Sequence, residues 1–136
     1  MFFVHCMFCH KLVFRPFYER HKRKHTTRLA DGQMTDHITV DPTERYTGSL
    51  AGVPMWYYHS TCGVVTGMPE EIVRSYLVNP FLYDGETSFC HGCNDYVSQA
   101  ELFWQETDQS LADYDRGLKE QYLKIHGKPP PAPFVD

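Results

Sequence analysis

The chain is poor in cysteine, with five among 136 residues, and an odd number cannot all be joined in disulfides. A fold stapled mainly by disulfides is therefore excluded. Long apolar runs are also missing, and none approaches the ~18 residues needed to span a bilayer. The opening MFFVHCMFCHK has no basic stretch ahead of an apolar one, so a secretory signal is not expected. The glycine-rich loops that cradle phosphate or dinucleotides are absent, as is the GxSxG nucleophile motif. The one pair of adjacent acids of note, Glu70 and Glu71, opens a helix, where negative charge needs no catalytic explanation. These absences predict a cytoplasmic protein with no membrane partner, whose cysteines stay reduced and available as ligands.

What the chain does have is aromatic bulk and a divided charge. Twenty residues are Phe, Tyr or Trp, enough large rings to build a core and to argue against disorder. The net charge is −4, but residues 1–28 carry seven bases against Glu19 alone, +6, and the remainder carries −10. This asymmetry predicts either a basic contact surface or a basic segment folded against an acidic body.

Local signals give an α+β domain of short elements. Pro16 leads into FYERHKRKH and predicts a basic helix over 16–25. Asp31 and Gly32 signal a turn, DHITV at 36–40 predicts a strand ended by Pro42, and residues 44–55 should be irregular. A second strand is expected at 55–59. Pro69 with Glu70 and Glu71 opens a helix that places Ile72, Val73, Tyr76 and Leu77 on one face and ends before Pro80. Ser98 and Glu101 have capping-box spacing ahead of Leu102, Phe103 and Trp104, which predicts another helix start. Ser110 begins the last helix, with Leu111, Tyr114, Leu118 and Tyr122 at helical spacing and Gly127 as its C-terminal cap. Residues 1–128 would form one metal-binding domain, a basic segment 1–28 and a body 29–128, followed by an extended proline-rich tail at 129–136.

The chemistry lies in three pairs of one spacing: Cys6 with Cys9, His59 with Cys62, and Cys90 with Cys93. A gap of two residues lets the backbone fold into a knuckle that aims both side chains at one ion. The turn residue after each pair favours positive φ, which suits Gly63 and Asn94 and suits His10 less well. The three pairs contain every cysteine in the chain, so zinc is the expected ion. Six ligands exceed one tetrahedral site, and His21 and His25, four apart on the expected helix, supply the two that complete a second. This grouping gives Cys6, Cys9, His21 and His25 as one zinc site, and His59, Cys62, Cys90 and Cys93 as the other. Three alternatives remain open: Cys6 and Cys9 could join His59 and Cys62, or join Cys90 and Cys93, or His37 could replace His25.

Several of these patterns resemble known families. Cys6 and Cys9 followed by His21 and His25 resemble the Cys2His2 zinc finger, including Phe14 and Tyr18 between the pairs, a basic helix and a Thr after the last His. The central spacer is one residue short. Cys6, Cys9, His59 and Cys62 would resemble the first zinc site of LIM domains. Cys6, Cys9 and His10 match the haem-attachment pattern of c-type cytochromes, which leaves the two other pairs unexplained. Asp36, His37 and Ile38, flanked by Cys6/Cys9 and Cys90/Cys93 with Asn94, resemble the HNH endonucleases. That resemblance implies His37 as general base, with Asp36 and Asn94 placing a divalent metal on the scissile phosphate.

On the finger resemblance, Phe14, Phe17 and Arg20 would face a DNA groove. Phenylalanine makes no bidentate base contact, so these rings fit a core or a protein-binding patch better than base readout. The expected function is a zinc-binding interaction module, with a protein partner and non-specific nucleic-acid contact through the basic segment. The alternative is an HNH-like endonuclease using His37.

Overall fold

A computed structural model describes residues 2–131. Among the described residues the chain folds as α+β, with three α-helices and seven short strands arranged as three antiparallel sheets. The proline-rich tail expected at 129–136 lies largely outside the described residues. Strands β1 (Phe3–His5) and β2 (Leu12–Phe14) form a hairpin. A 3-10 turn at Arg15–Phe17 holds Pro16 and leads into α1 (Tyr18–Thr26). Helix α1 carries Glu19 in its first turn and Arg23, Lys24 and His25 in its last, charges that complement the helix dipole.

Strands β3 (Trp56–His59) and β4 (Val65–Gly67) make the second hairpin. Helix α2 (Glu70–Tyr76) follows, with Pro69 at the cap position rather than inside the helix. Asn79 closes the segment after it by accepting from the Phe81 amide at 3.0 Å. Strands β5 (Thr87–Cys90) and β6 (Asp95–Ser98) form the third hairpin. Strand β7 (Leu102–Trp104) adds to the other side of β3, giving the order β4-β3-β7. Helix α3 (Leu111–His126) is capped by Ser110, whose hydroxyl accepts from the Asp113 amide at 3.0 Å. Gly127 ends it at φ 78°, a left-handed conformation that glycine adopts without penalty.

Two expected elements are replaced. Residues 36–40 form no strand, because their amides go to separate partners instead of one ladder. Asp36 donates to the His25 carbonyl, Thr39 to the Met7 carbonyl and Val40 to the Ser75 hydroxyl. The expected helix start at Ser98 is a single 3-10 turn, Gln99–Glu101, leading into β7. Pairing of Leu102 with His59 and of Trp104 with Tyr57 overrides the local capping signal.

The core packs β3 and β7 against α3. Tyr57, Leu102, Trp104 and Leu111 are buried there, with Met68, Val97 and Tyr114 against them. The Trp104 ring meets Tyr57 edge-on at 5.6 Å and Tyr114 at 6.0 Å. Cys6 and Cys90 are among the few fully buried side chains, so thiols take up interior positions that hydrocarbon fills in larger domains.

Candidate metal centres

All three ligand-spaced pairs lie at hairpin tips. Cys6 and Cys9 are in the β1–β2 connection, His59 ends β3 with Cys62 in the turn that follows, and Cys90 ends β5 with Cys93 in the turn that follows. The first two tips share a hydrogen-bond pattern. The Cys6 amide donates to the Lys11 carbonyl at 3.0 Å and the His10 amide to the Cys6 carbonyl at 2.8 Å. At the second tip His59 donates to Val64 at 3.3 Å, and Gly63 donates to His59 at 2.8 Å. In the third, Cys90 pairs with Asp95 at the same offset. His10, Gly63 and Asn94 occupy equivalent turn positions at φ 64°, 71° and 53°. His10 therefore takes the same left-handed conformation as the two residues better suited to it, held by a 2.8 Å hydrogen bond between its Nε2 and Thr39 Oγ1.

The structure gathers Cys6, Cys9, His21 and His25 into one group. It gathers His59, Cys62, Cys90 and Cys93 into a second, and within each the ligand atoms lie within 4.8 Å of one another. Both groups are close enough to hold a metal ion. The open alternatives are not what the fold assembles: Cys6 and Cys9 meet neither His59 nor Cys90, and His37 is in neither group.

In the first group Cys9 Sγ is 3.3 Å from His21 Nε2, and His21 Nε2 is 3.2 Å from His25 Nε2. The buried His25 ring stacks on Phe8 at 5.1 Å. Its Nδ1 faces Asp36 Oδ2 at 2.8 Å. A carboxylate there holds the proton on Nδ1 and leaves the Nε2 lone pair turned towards the other ligands. Burial, then the Lys24 charge, lowers the His21 pKa, a shift in favour of the neutral imidazole that a metal takes.

The second group is formed by two hairpin tips. Cys62 and Cys90 sulfurs are 3.6 Å apart, and His59 Nδ1 is 3.6 Å from Cys90 Sγ and 3.3 Å from Cys93 Sγ. The sulfur separation is far beyond the ~2.05 Å of a disulfide, and all five cysteines are free thiols. His59 Nε2 lies 3.4 Å from Glu101 Oε1, so the ring presents Nδ1 inward here. Gly92 makes the close approach possible, since a Cβ on it would stand 2.6 Å from Cys62 Sγ and 2.8 Å from Val64. The Val64 amide lowers the Cys62 thiol pKa, whereas hydrogen bonding to Cys90 pushes the Cys93 thiol up to about 11. The cluster thus resists ionising completely without a cation to offset the charge.

The HNH-like arrangement is not formed. Asp36 is turned to His25 instead of a phosphate-metal site, and residues 36–38 lack the strand that would present His37. That side chain lines a cleft of about 590 Å3 bounded by Tyr57, Tyr76 and Trp104. Phe14 and Phe17 are 39% and 52% exposed, so they are not core residues. Sequence reasoning missed Asp36 as the partner of His25, Glu101 as the partner of His59, and Gly92. Their roles depend on contacts 11 and 42 residues apart for the two acids, and on a sulfur crossing from another hairpin for the glycine.

No family model matches the chain, and no curated protein or solved structure matches it. Among the described residues, no helix is long and apolar enough to cross a membrane.

Proposed function

We propose that the chain is an interaction module held together by two structural zinc ions, one in each Cys/His group. The observation that carries this reading is the division of eight ligand-type side chains into two separate quartets that use every cysteine. The spacing within them supports zinc. Bonds of about 2.0 Å to nitrogen and about 2.3 Å to sulfur give tetrahedral edges of about 3.3 Å between nitrogens and about 3.8 Å between sulfurs. Where ligand atoms come within hydrogen-bonding range, the nitrogens of His21 and His25 are 3.2 Å apart, the sulfurs of Cys62 and Cys90 3.6 Å, and nitrogen–sulfur distances run from 3.3 to 3.6 Å, the other edges lying within 4.8 Å. Thiolate and imidazole donors also suit zinc far better than magnesium or calcium.

Residues 1–28 would then act as a finger of the Cys2His2 type, a hairpin and a helix pinned at one end. The second quartet would join two zinc knuckles, with four protein ligands and no open position for a substrate. Metal binding and folding would be coupled, because the ions replace part of a small core. The test is elemental analysis with chelation. Two zinc ions per chain are expected, falling to one in Cys9→Ser and in Cys93→Ser, with loss of near-ultraviolet dichroism on chelation. A chain that purifies without metal, or stays fully folded after its removal, overturns the proposal.

A further inference from the structure

The β1–β2 hairpin turns apolar rings outward. Phe3 pairs with Phe14 across the strands, so both lie on one face, while the paired Val4 and Val13 lie on the other. The Phe3 and Phe14 rings are 5.4 Å apart and tilted by 59°, and Phe14 meets Phe17 at 5.8 Å and 49°. Phe2, Phe3 and Phe17 are 75%, 50% and 52% exposed. None of these rings stacks flat on another ring. The Arg20 guanidinium sits 5.6 Å from the centre of the Phe17 ring. Lys11, Arg23 and Lys24 are exposed, and none of them forms an ion pair among the described residues. Of the bases in this segment, Arg28 reaches an acid of the body, Asp95, at 2.8 Å, and Lys22 pairs within its own helix with Glu19. The charges of Lys11, Arg20, Arg23 and Lys24 therefore meet no acid in an ion pair among the described residues.

From this surface we infer that the finger-like segment binds single-stranded nucleic acid without sequence preference. The inference rests on the zinc reading, since the first Cys/His group would fix the ring-bearing hairpin against the cationic helix. Unpaired bases offer flat faces for the exposed rings, and their phosphates offer charge for the adjacent bases of the protein. A duplex hides those faces, and Phe14 and Phe17 cannot read its base edges. The cations beside the rings, Lys11, Arg20, Arg23 and Lys24, suit a strand that carries a phosphate at every nucleotide. The acids of the body act weakly at range, because screening limits them to about 8 Å at physiological salt.

The test uses the zinc-replete full chain, with metal content measured on the same sample. Fluorescence anisotropy compares a labelled oligothymidine, a duplex of equal length and a poly-glutamate peptide. The single strand should bind at least tenfold tighter than either competitor. Its log affinity should fall with log salt at about −0.7 per phosphate contact, near −3 for four cations. Phe17→Leu keeps apolar bulk but loses the ring face, and should weaken binding at least fivefold. Arg23→Ala with Lys24→Ala should flatten the salt slope with both zinc ions retained. Duplex binding as tight as single-strand binding overturns the inference. So does a Phe17→Leu variant that binds like the parent, or preference for the acidic peptide, which would mark a protein-docking surface. Absence of binding by a chain carrying two zinc ions removes the surface and leaves the zinc reading intact. Strand binding by a metal-free chain removes the zinc reading instead.

Discussion

Replacing Asp36 probes how the first Cys/His group is built. Its carboxylate touches no other candidate ligand, yet at 2.8 Å from His25 Nδ1 it decides which ring nitrogen keeps the proton. Without it, the buried His25 can place its hydrogen on Nε2, the atom 3.2 Å from His21 Nε2. Zinc binding must then first shift that proton. Loss of such a partner typically weakens metal binding 10–100-fold, or about 1.4–2.8 kcal/mol. The Asp36 side chain is 49% exposed, so water can take over part of its role. The lower end is therefore expected, about tenfold for Asp36→Ala. Asp36→Asn should fall between it and the parent, because an amide oxygen still accepts from Nδ1–H without the charge. Competition against a chromophoric chelator would resolve two zinc classes, and only one should weaken. Unchanged affinity in Asp36→Ala would refute the tautomer argument. Equal weakening of both classes would show that Asp36 acts on overall folding and not on His25.

Three other perturbations test separate parts of the structure. Gly92→Ala places a methyl group against Cys62 Sγ and Val64, and should release one zinc ion while the other remains, as read by elemental analysis. Gly117 lies inside α3 with open space where its Cβ would go, so Gly117→Ala should raise stability by about 0.5–1 kcal/mol in urea denaturation; a loss of stability would contradict the packing of α3. Zinc affinity at the second group should rise with pH and fall as acid protonates its thiols, because Cys93 holds its proton up to about pH 11 in the metal-free cluster. Calorimetry in buffers of different ionisation enthalpy should then record proton release on zinc binding, and none would contradict thiolate ligation.

Much of the ligand arrangement was legible in the sequence because it is local. A two-residue gap followed by Gly63 or Asn94 specifies a knuckle through backbone preferences alone, and His21 and His25 need only a helix to face one point. Ser110 and Gly127 marked the ends of α3 for the same reason. Elements settled by distant partners were misread. At 98–104 a valid local cap, with the Ser98 hydroxyl accepting from the Ala100 amide, precedes a strand because β3 lies ready to pair with it. At 36–40 the sequence alternates like a strand but meets His25, Met7 and Ser75 in turn, so no ladder forms.

The two metal groups are also less independent than their spacing implies. The chain leaving α1 turns at Gly32, with φ 91°, and comes so close to the Asn94 carbonyl that any side chain there would collide with it. Asn94 is the turn residue of the β5–β6 hairpin, which carries Cys90 and Cys93. Beside it, Arg28 bridges to Asp95 and lies 5.3 Å over the Tyr96 ring, and the Tyr96 hydroxyl accepts from the Met34 amide at 3.1 Å. The segment that leaves the first group therefore rests on the hairpin that builds the second. An ion in the second group would fix the surface against which the loop after His25 and before Asp36 is laid. That loop is what carries Asp36 back to His25, so the geometry of the first site depends in part on the integrity of the second.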